Sequence, residues 1–154
     1  DSYPEFPVSP LGFESEKLNN GFTRYSYKGQ AAAVPEVDFK LEEIKEDGTK
    51  IFGVSLASWD AGDVFLSFDY EGDEIRLYEN GKLLDDQFWH GKNIGWTVGM
   101  RRYGRNAHDF KVEVIPLKKD APIFIEELPD FKEDYVCTLK DVTAAAKTEV
   151  VFEL

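Results

Sequence analysis

Residues 88–103 gather the side chains that recognise a sugar: Trp89, Asn93, Trp96, Arg101, Arg102 and Tyr103, with His90 among them. A sugar ring stacks its apolar face on an aromatic plane, while Arg and Asn side chains hydrogen-bond its hydroxyls. The same residues have a plainer use. β-Sandwich cores commonly bury a tryptophan, so Phe88, Trp89 and Trp96 could plug a core while the arginines pair with nearby acids.

A second cluster is acidic: Asp60, Asp63, Asp69, Glu71, Asp73 and Glu74. Calcium takes roughly six to eight oxygen ligands, some of them loop carbonyls. Asp69, Glu71 and Asp73 are the side chains that could contribute to such a shell, and a structural calcium is the one cofactor the sequence suggests. The EF-hand pattern is missing, and acidic turns are more often simply solvated. His90 and His108 lie too far apart in sequence to signal a transition-metal site.

Catalytic signatures are weak. Glycosidases need two carboxylates flanking one bond, one of them with a raised pKa. With 30 acidic residues, pairs such as Asp85–Asp86 and Glu126–Glu127 arise by chance. Neighbours on a strand also point to opposite faces, which places adjacent pairs badly for a shared substrate. There is no nucleophile elbow and no Gly-rich phosphate loop.

Composition narrows the partners. The 18 basic against 30 acidic residues leave a net charge of −12, which repels phosphate backbones and anionic membrane surfaces. Nucleic acid and membrane are therefore not expected as partners. The single cysteine, Cys137, excludes a disulfide framework and a Cys-rich zinc site. It does not argue against the expected periplasmic or secreted location, since many secreted bacterial domains lack disulfides. The chain begins at Asp1 and reads as a processed or excised piece.

The elements that must position these residues are strands. Twelve Phe, seven Tyr and three Trp suit a pleated, half-buried surface. Residues 1–20 read as an irregular lead-in broken by Pro4, Pro7 and Pro10, ending in a turn at Asn19-Asn20-Gly21. Alternation then predicts strands over 22–27, 37–44, 51–57, 64–70, 74–78, 110–117, 122–126, 135–139 and 149–152. In the second of these, Val37, Phe39 and Leu41 should face inward; in 110–117, Phe110, Val112 and Val114 should share one face. Asp47-Gly48 and Asn80-Gly81 are hairpin turns, the latter a type I′ turn with positive φ at both central residues. Residues 88–106 read as a structured loop or irregular strand. The helical candidates are 141–147, with its three alanines, and a turn near 128–132.

One stretch also carries a family resemblance. Residues 72–126 contain Asp86, Phe88 and Gly91 after the Leu-Tyr strand and its Asn-Gly turn, then Trp96 and Gly99. Pro116-Leu117-Lys118 and Asp120-Ala121-Pro122 follow. This pattern resembles the C-terminal, jelly-roll-like β-sandwich region of family 35 β-galactosidases, with Ile115 standing where that family has leucine. The resemblance covers about a third of the chain. It implies an accessory domain without chemistry of its own, because that family's two catalytic glutamates lie on a separate barrel. Such a barrel needs at least about 200 residues and cannot fit here. It also implies that the 88–103 region could pack against a catalytic domain.

The expectation is thus a single antiparallel, jelly-roll-like β-sandwich over 1–154 with about ten short strands. Its partner would be an oligosaccharide or the catalytic domain of a parent enzyme. The alternative is a stand-alone extracytoplasmic structural or interaction protein of the same fold that binds no sugar.

Overall fold

The computed structural model describes residues 13–27, 29, 31–122 and 127–148. These residues form 12 strands, all paired antiparallel, and one short 3-10 turn. The strands are β1 (Phe13–Lys17), β2 (Thr23–Tyr27), β3 (Val37–Ile44), β4 (Lys50–Leu56), β5 (Asp63–Glu71) and β6 (Glu74–Glu79), then β7 (Lys82–Phe88), β8 (Trp96–Gly99), β9 (His108–Ile115), β10 (Leu117–Lys118), β11 (Tyr135–Val136) and β12 (Thr138–Lys147). A five-stranded sheet runs β3-β4-β9-β6-β7 and a three-stranded sheet runs β12-β5-β8. The hairpins β1–β2 and β10–β11 form two small sheets of their own. Among the described residues no helix is long and apolar enough to cross a membrane.

Period-two alternation builds the core. In β5, Val64, Leu66, Phe68 and Tyr70 are buried, while Phe65, Ser67 and Asp69 point outward. In β9, Phe110, Val112 and Val114 are buried as expected. Ile75 and Leu77 of β6 and Phe52, Val54 and Leu56 of β4 join the same cluster, which Val98 and Val142 close from the smaller sheet. Two sheets with one apolar face each bury those faces against one another. The expected all-β sandwich is what forms.

Turn chemistry holds the register. Asn80 and Gly81 both have positive φ, +50° and +76°, as a type I′ hairpin requires. At the other hairpin only Gly48 does, at +89°. There Asp47 accepts a hydrogen bond from the Thr49 amide at 2.9 Å, and the Lys45 amide donates to the Thr49 carbonyl.

Several expectations are corrected. Residues 141–147 are not helical but the far part of β12, paired with β5 from Asp141↔Asp69 to Lys147↔Asp63. The alanines favour helix locally, but seven strand partners and burial of Val142 outweigh that propensity. A bulge between Leu139 and Asp141 shifts the phase, so Leu139 and then Val142 face inward. Leu41 stays in register opposite the buried Phe52, on the inward face with Val37 and Phe39, yet is 47% exposed on the edge strand β3. The lead-in is not wholly irregular, since β1 lies within it and pairs with β2 from Phe13↔Tyr27 to Lys17↔Thr23. No helix forms at 128–132, and the one helical turn is Arg101–Tyr103. Residues 1–12, the 122–126 strand beyond Pro122 and the 149–152 strand lie outside the described residues.

Phe68→Ala removes a fully buried ring at the centre of β5. It should destabilise the domain by about 3–5 kcal/mol, read from the midpoint of a urea unfolding curve at unchanged slope.

Candidate functional site

The strand directions give the sandwich two ends. One end carries the hairpin turn at 45–49, the β5–β6 turn, the end of β7 and the start of β8. The other carries residues 57–62, the Asn80-Gly81 turn and residues 100–107. The suspected sugar site divides between them. Trp89 and Asn93 precede β8, and Arg101, Arg102 and Tyr103 follow it, so the strand itself separates the two groups.

At the first end the indoles are structural. Trp89 is 4% exposed, its amide donates to the Asp73 carbonyl, and its Nε1–H donates to the Tyr70 carbonyl at 3.0 Å. Trp96 is 5% exposed and its ring lies 5.1 Å from that of Phe68, the residue it faces across β5 and β8. A stacking platform must present a ring face to solvent, and neither does. The exposed aromatic of this segment is Phe88, at 61%, which the core-plug reading had placed inside. Positive φ at Gly91 and Asn93 turns the chain between the two tryptophans. Lys92 ties that turn to Asp130 at 3.0 Å.

At the second end the cations hold the loop down. Arg102 pairs with Asp85 of β7 and lies 4.8 Å over the Tyr103 ring. The Tyr103 hydroxyl donates to the Leu84 carbonyl at 3.3 Å. Arg101 and Asn93 are exposed. The 3-10 turn is thus fastened to the edge strand β7 by the very residues expected to grip a glycan.

The acidic candidates do not converge. Asp69 faces outward from mid-β5 and Glu71 pairs with Lys140 at 2.7 Å. Asp73 sits in the β5–β6 turn, where burial and then the neighbouring Glu74 raise its pKa. Among the described residues no three His, Cys, Asp or Glu side chains are grouped to hold a metal ion.

Two polar arrangements escaped the sequence. Glu74 is buried and takes a bidentate pair from Arg76, Nε to Oε1 and Nη2 to Oε2, both at 2.8 Å. His108 is buried against Phe110, with ring centroids 5.0 Å apart and nearly parallel planes. Its Nδ1 meets Glu79 Oε1 at 2.7 Å and its Nε2 meets the Gly104 carbonyl at 2.9 Å. That imidazole joins the β6–β7 turn to the loop after the 3-10 turn. Nothing local marks either pair beyond alternating positions on β6 and β9. The separation of 29 positions from Glu79 to His108 hides the second until the sheet is assembled.

No family model matches the chain, and neither a curated protein nor a solved structure matches it.

Tyr70 offers a test of how tightly the first end is closed. Its hydroxyl donates to the Gln87 carbonyl at 3.0 Å, and burial raises the phenol pKa well above the ordinary value of about 10. The unfolded chain therefore loses this proton at lower pH than the folded one. The contribution is intact below about pH 10 and declines as pH climbs past it. Tyr70→Phe should cost about 1 kcal/mol at neutral pH for the lost bond. It should also flatten the fall of unfolding free energy between pH 10 and 11.5 relative to the unmutated chain. Parallel pH profiles for the two proteins would contradict the placement of this phenol.

Proposed function

We propose that this chain is a non-catalytic accessory or carbohydrate-binding-type β-sandwich domain of a β-galactosidase-like glycoside hydrolase. The observation that carries the reading is where its two family-like stretches lie. Phe88 of the first and Ile115 of the second flank Glu74 in one row across β7, β6 and β9. Stretches separated along the chain thus meet as neighbours around the closed end of the sandwich. Leu117 of the second stretch is buried there, and Ala121 packs on the core.

Support for a role without chemistry comes from how two partnered carboxylates are used, the buried Glu74 and the half-buried Glu79. Glu74 is held by Arg76 and Glu79 by His108, so both serve as anchors of the fold. A hydrolytic pair needs one carboxylate to donate a proton and the other to attack or activate water. Burial of Trp89 and Trp96 favours packing against a neighbouring domain over glycan stacking as the use of this segment. Phe88, with Ile94 at 53% and Leu128 at 55% exposure, supplies apolar surface at that end.

The reading predicts that the native polypeptide is several times longer than this chain and hydrolyses a chromogenic β-galactoside. The 154-residue chain alone should not. Hydrolysis by the isolated chain, or a native product no longer than this chain plus a signal peptide, would overturn it.

A further inference from the structure

The chain contains two Asn-Gly pairs, Asn20-Gly21 and Asn80-Gly81. Such a pair can modify itself in water. The Gly amide nitrogen attacks the Asn side-chain Cγ, and a new N–Cγ bond forms. The amide proton passes to hydroxide, and the side-chain nitrogen takes a proton from water and leaves as ammonia. Water then opens the resulting succinimide at either carbonyl, breaking one C–N bond and leaving aspartate or isoaspartate. Glycine permits the attack because no side chain crowds its nitrogen. The fold decides which pair can reach the geometry.

Asn20-Gly21 is tied down. The Gly21 amide donates to the Leu18 carbonyl at 3.1 Å, and Asn20 Oδ1 accepts from the Phe22 amide at 3.2 Å. The attacking nitrogen and the group under attack are both engaged, so both bonds must break first. Asn80-Gly81 has neither restraint. It forms the two-residue loop between Glu79 and Lys82, which pair across β6 and β7. Asn80 is exposed, and among the described residues neither its side chain nor the Gly81 amide is hydrogen-bonded. A Cβ placed on Gly81 would meet no atom within 4 Å, so the loop has room to move.

Backbone geometry favours the same pair. The succinimide ring holds its Asn near the first central position of a type II′ turn, with φ about +60° and ψ about −120°. Asn80 already has φ of +50°. Turning over the single 80–81 peptide converts the type I′ turn to II′, and both types join two-residue hairpins. Gly81 must pass from φ of +76° to a negative value, which glycine does without steric cost. Glu79 stays opposite Lys82 throughout. Asn93 shares the positive φ, at +61°, but it precedes Ile94, whose branched side chain crowds the attack.

We propose that Asn80-Gly81 is a modification site, at which the folded chain converts its own Asn80 to aspartate and isoaspartate while Asn20 is spared. The conversion loosens the second end of the sandwich. Isoaspartate adds a methylene to the backbone of a two-residue loop that fixes the β6–β7 register. Either product places a new carboxylate beside Glu79, whose Oε1 meets His108 Nδ1 at 2.7 Å, and like charges repel. The inference is independent of the function proposed above.

Peptide mapping by mass spectrometry tests it, on the folded chain held at mildly alkaline pH in ¹⁸O-enriched water. The expected result is ¹⁸O-labelled aspartate and isoaspartate at position 80, formed about tenfold faster than at position 20, where two hydrogen bonds must be given up. In urea, which frees both pairs, the two rates should converge. Asn80→Gly keeps a loop sequence suited to a type I′ turn and should show no labelling at position 80. The aged chain should unfold at lower urea than the fresh one, while Asn80→Gly should age without that loss. Equal rates at the two pairs in the folded chain, or faster reaction at Asn20, overturns the proposal. So does an Asn80 that reacts in urea but stays intact in the folded chain, since the turn would then protect the pair it carries. An unchanged urea midpoint after conversion overturns the loosening of the second end.

Discussion

Everything in this domain depends on burying the inner face of β5 against β9 and β6. Val64, Leu66 and Phe68 are completely removed from solvent, as are Val112, Val114, Ile75 and Leu77. At roughly 25 cal/mol per Å² of apolar surface, burial on this scale is the main force opposing the chain entropy of ordering two sheets. It also decides what the surrounding aromatics do. Once β5 is committed to the core, its partner β8 brings Trp96 onto Phe68. The end of β7 turns inward so that Trp89 can reach the Tyr70 carbonyl. The tryptophans are where they are because the sandwich needs a lid.

The two ends of that sandwich are consequently unlike. At the first, both indoles are sunk, and the Tyr70 hydroxyl and the Trp89 Nε1–H each have a carbonyl acceptor. At the second, His108 is tied on both nitrogens while the indole beside it is not. Each end also keeps buried polar atoms without a partner among the described residues: Gln87 Nε2 and Thr138 Oγ1 at the first, Trp59 Nε1 and Asp63 Oδ1 at the second.

What could be read from the sequence was what is local. β5 and β9 announced themselves by strict alternation, and Asn80-Gly81 by the positive φ that few other residues tolerate. The failures share one cause, which is interaction beyond the window. The alanines of 141–147 favour helix until seven pairs with β5 are in place. A bulge in β12 hid its alternation, and Leu41, though opposite the buried Phe52, is left exposed on an edge strand. The site suffered most. An aromatic, cationic, glycine-rich segment reads equally well as a platform or a plug, and only the pairings of Trp96 with Phe68 and Arg102 with Asp85 distinguish the two.

The most direct test of this account is to follow the three indole N–H resonances of the ¹⁵N-labelled chain during a titration with galactose-containing and plant-type oligosaccharides. Trp89 and Trp96, as core residues, should hold their positions throughout and exchange slowly with solvent. Saturable movement of the Trp89 or Trp96 resonance would contradict the account and return the contact surface to residues 88–103.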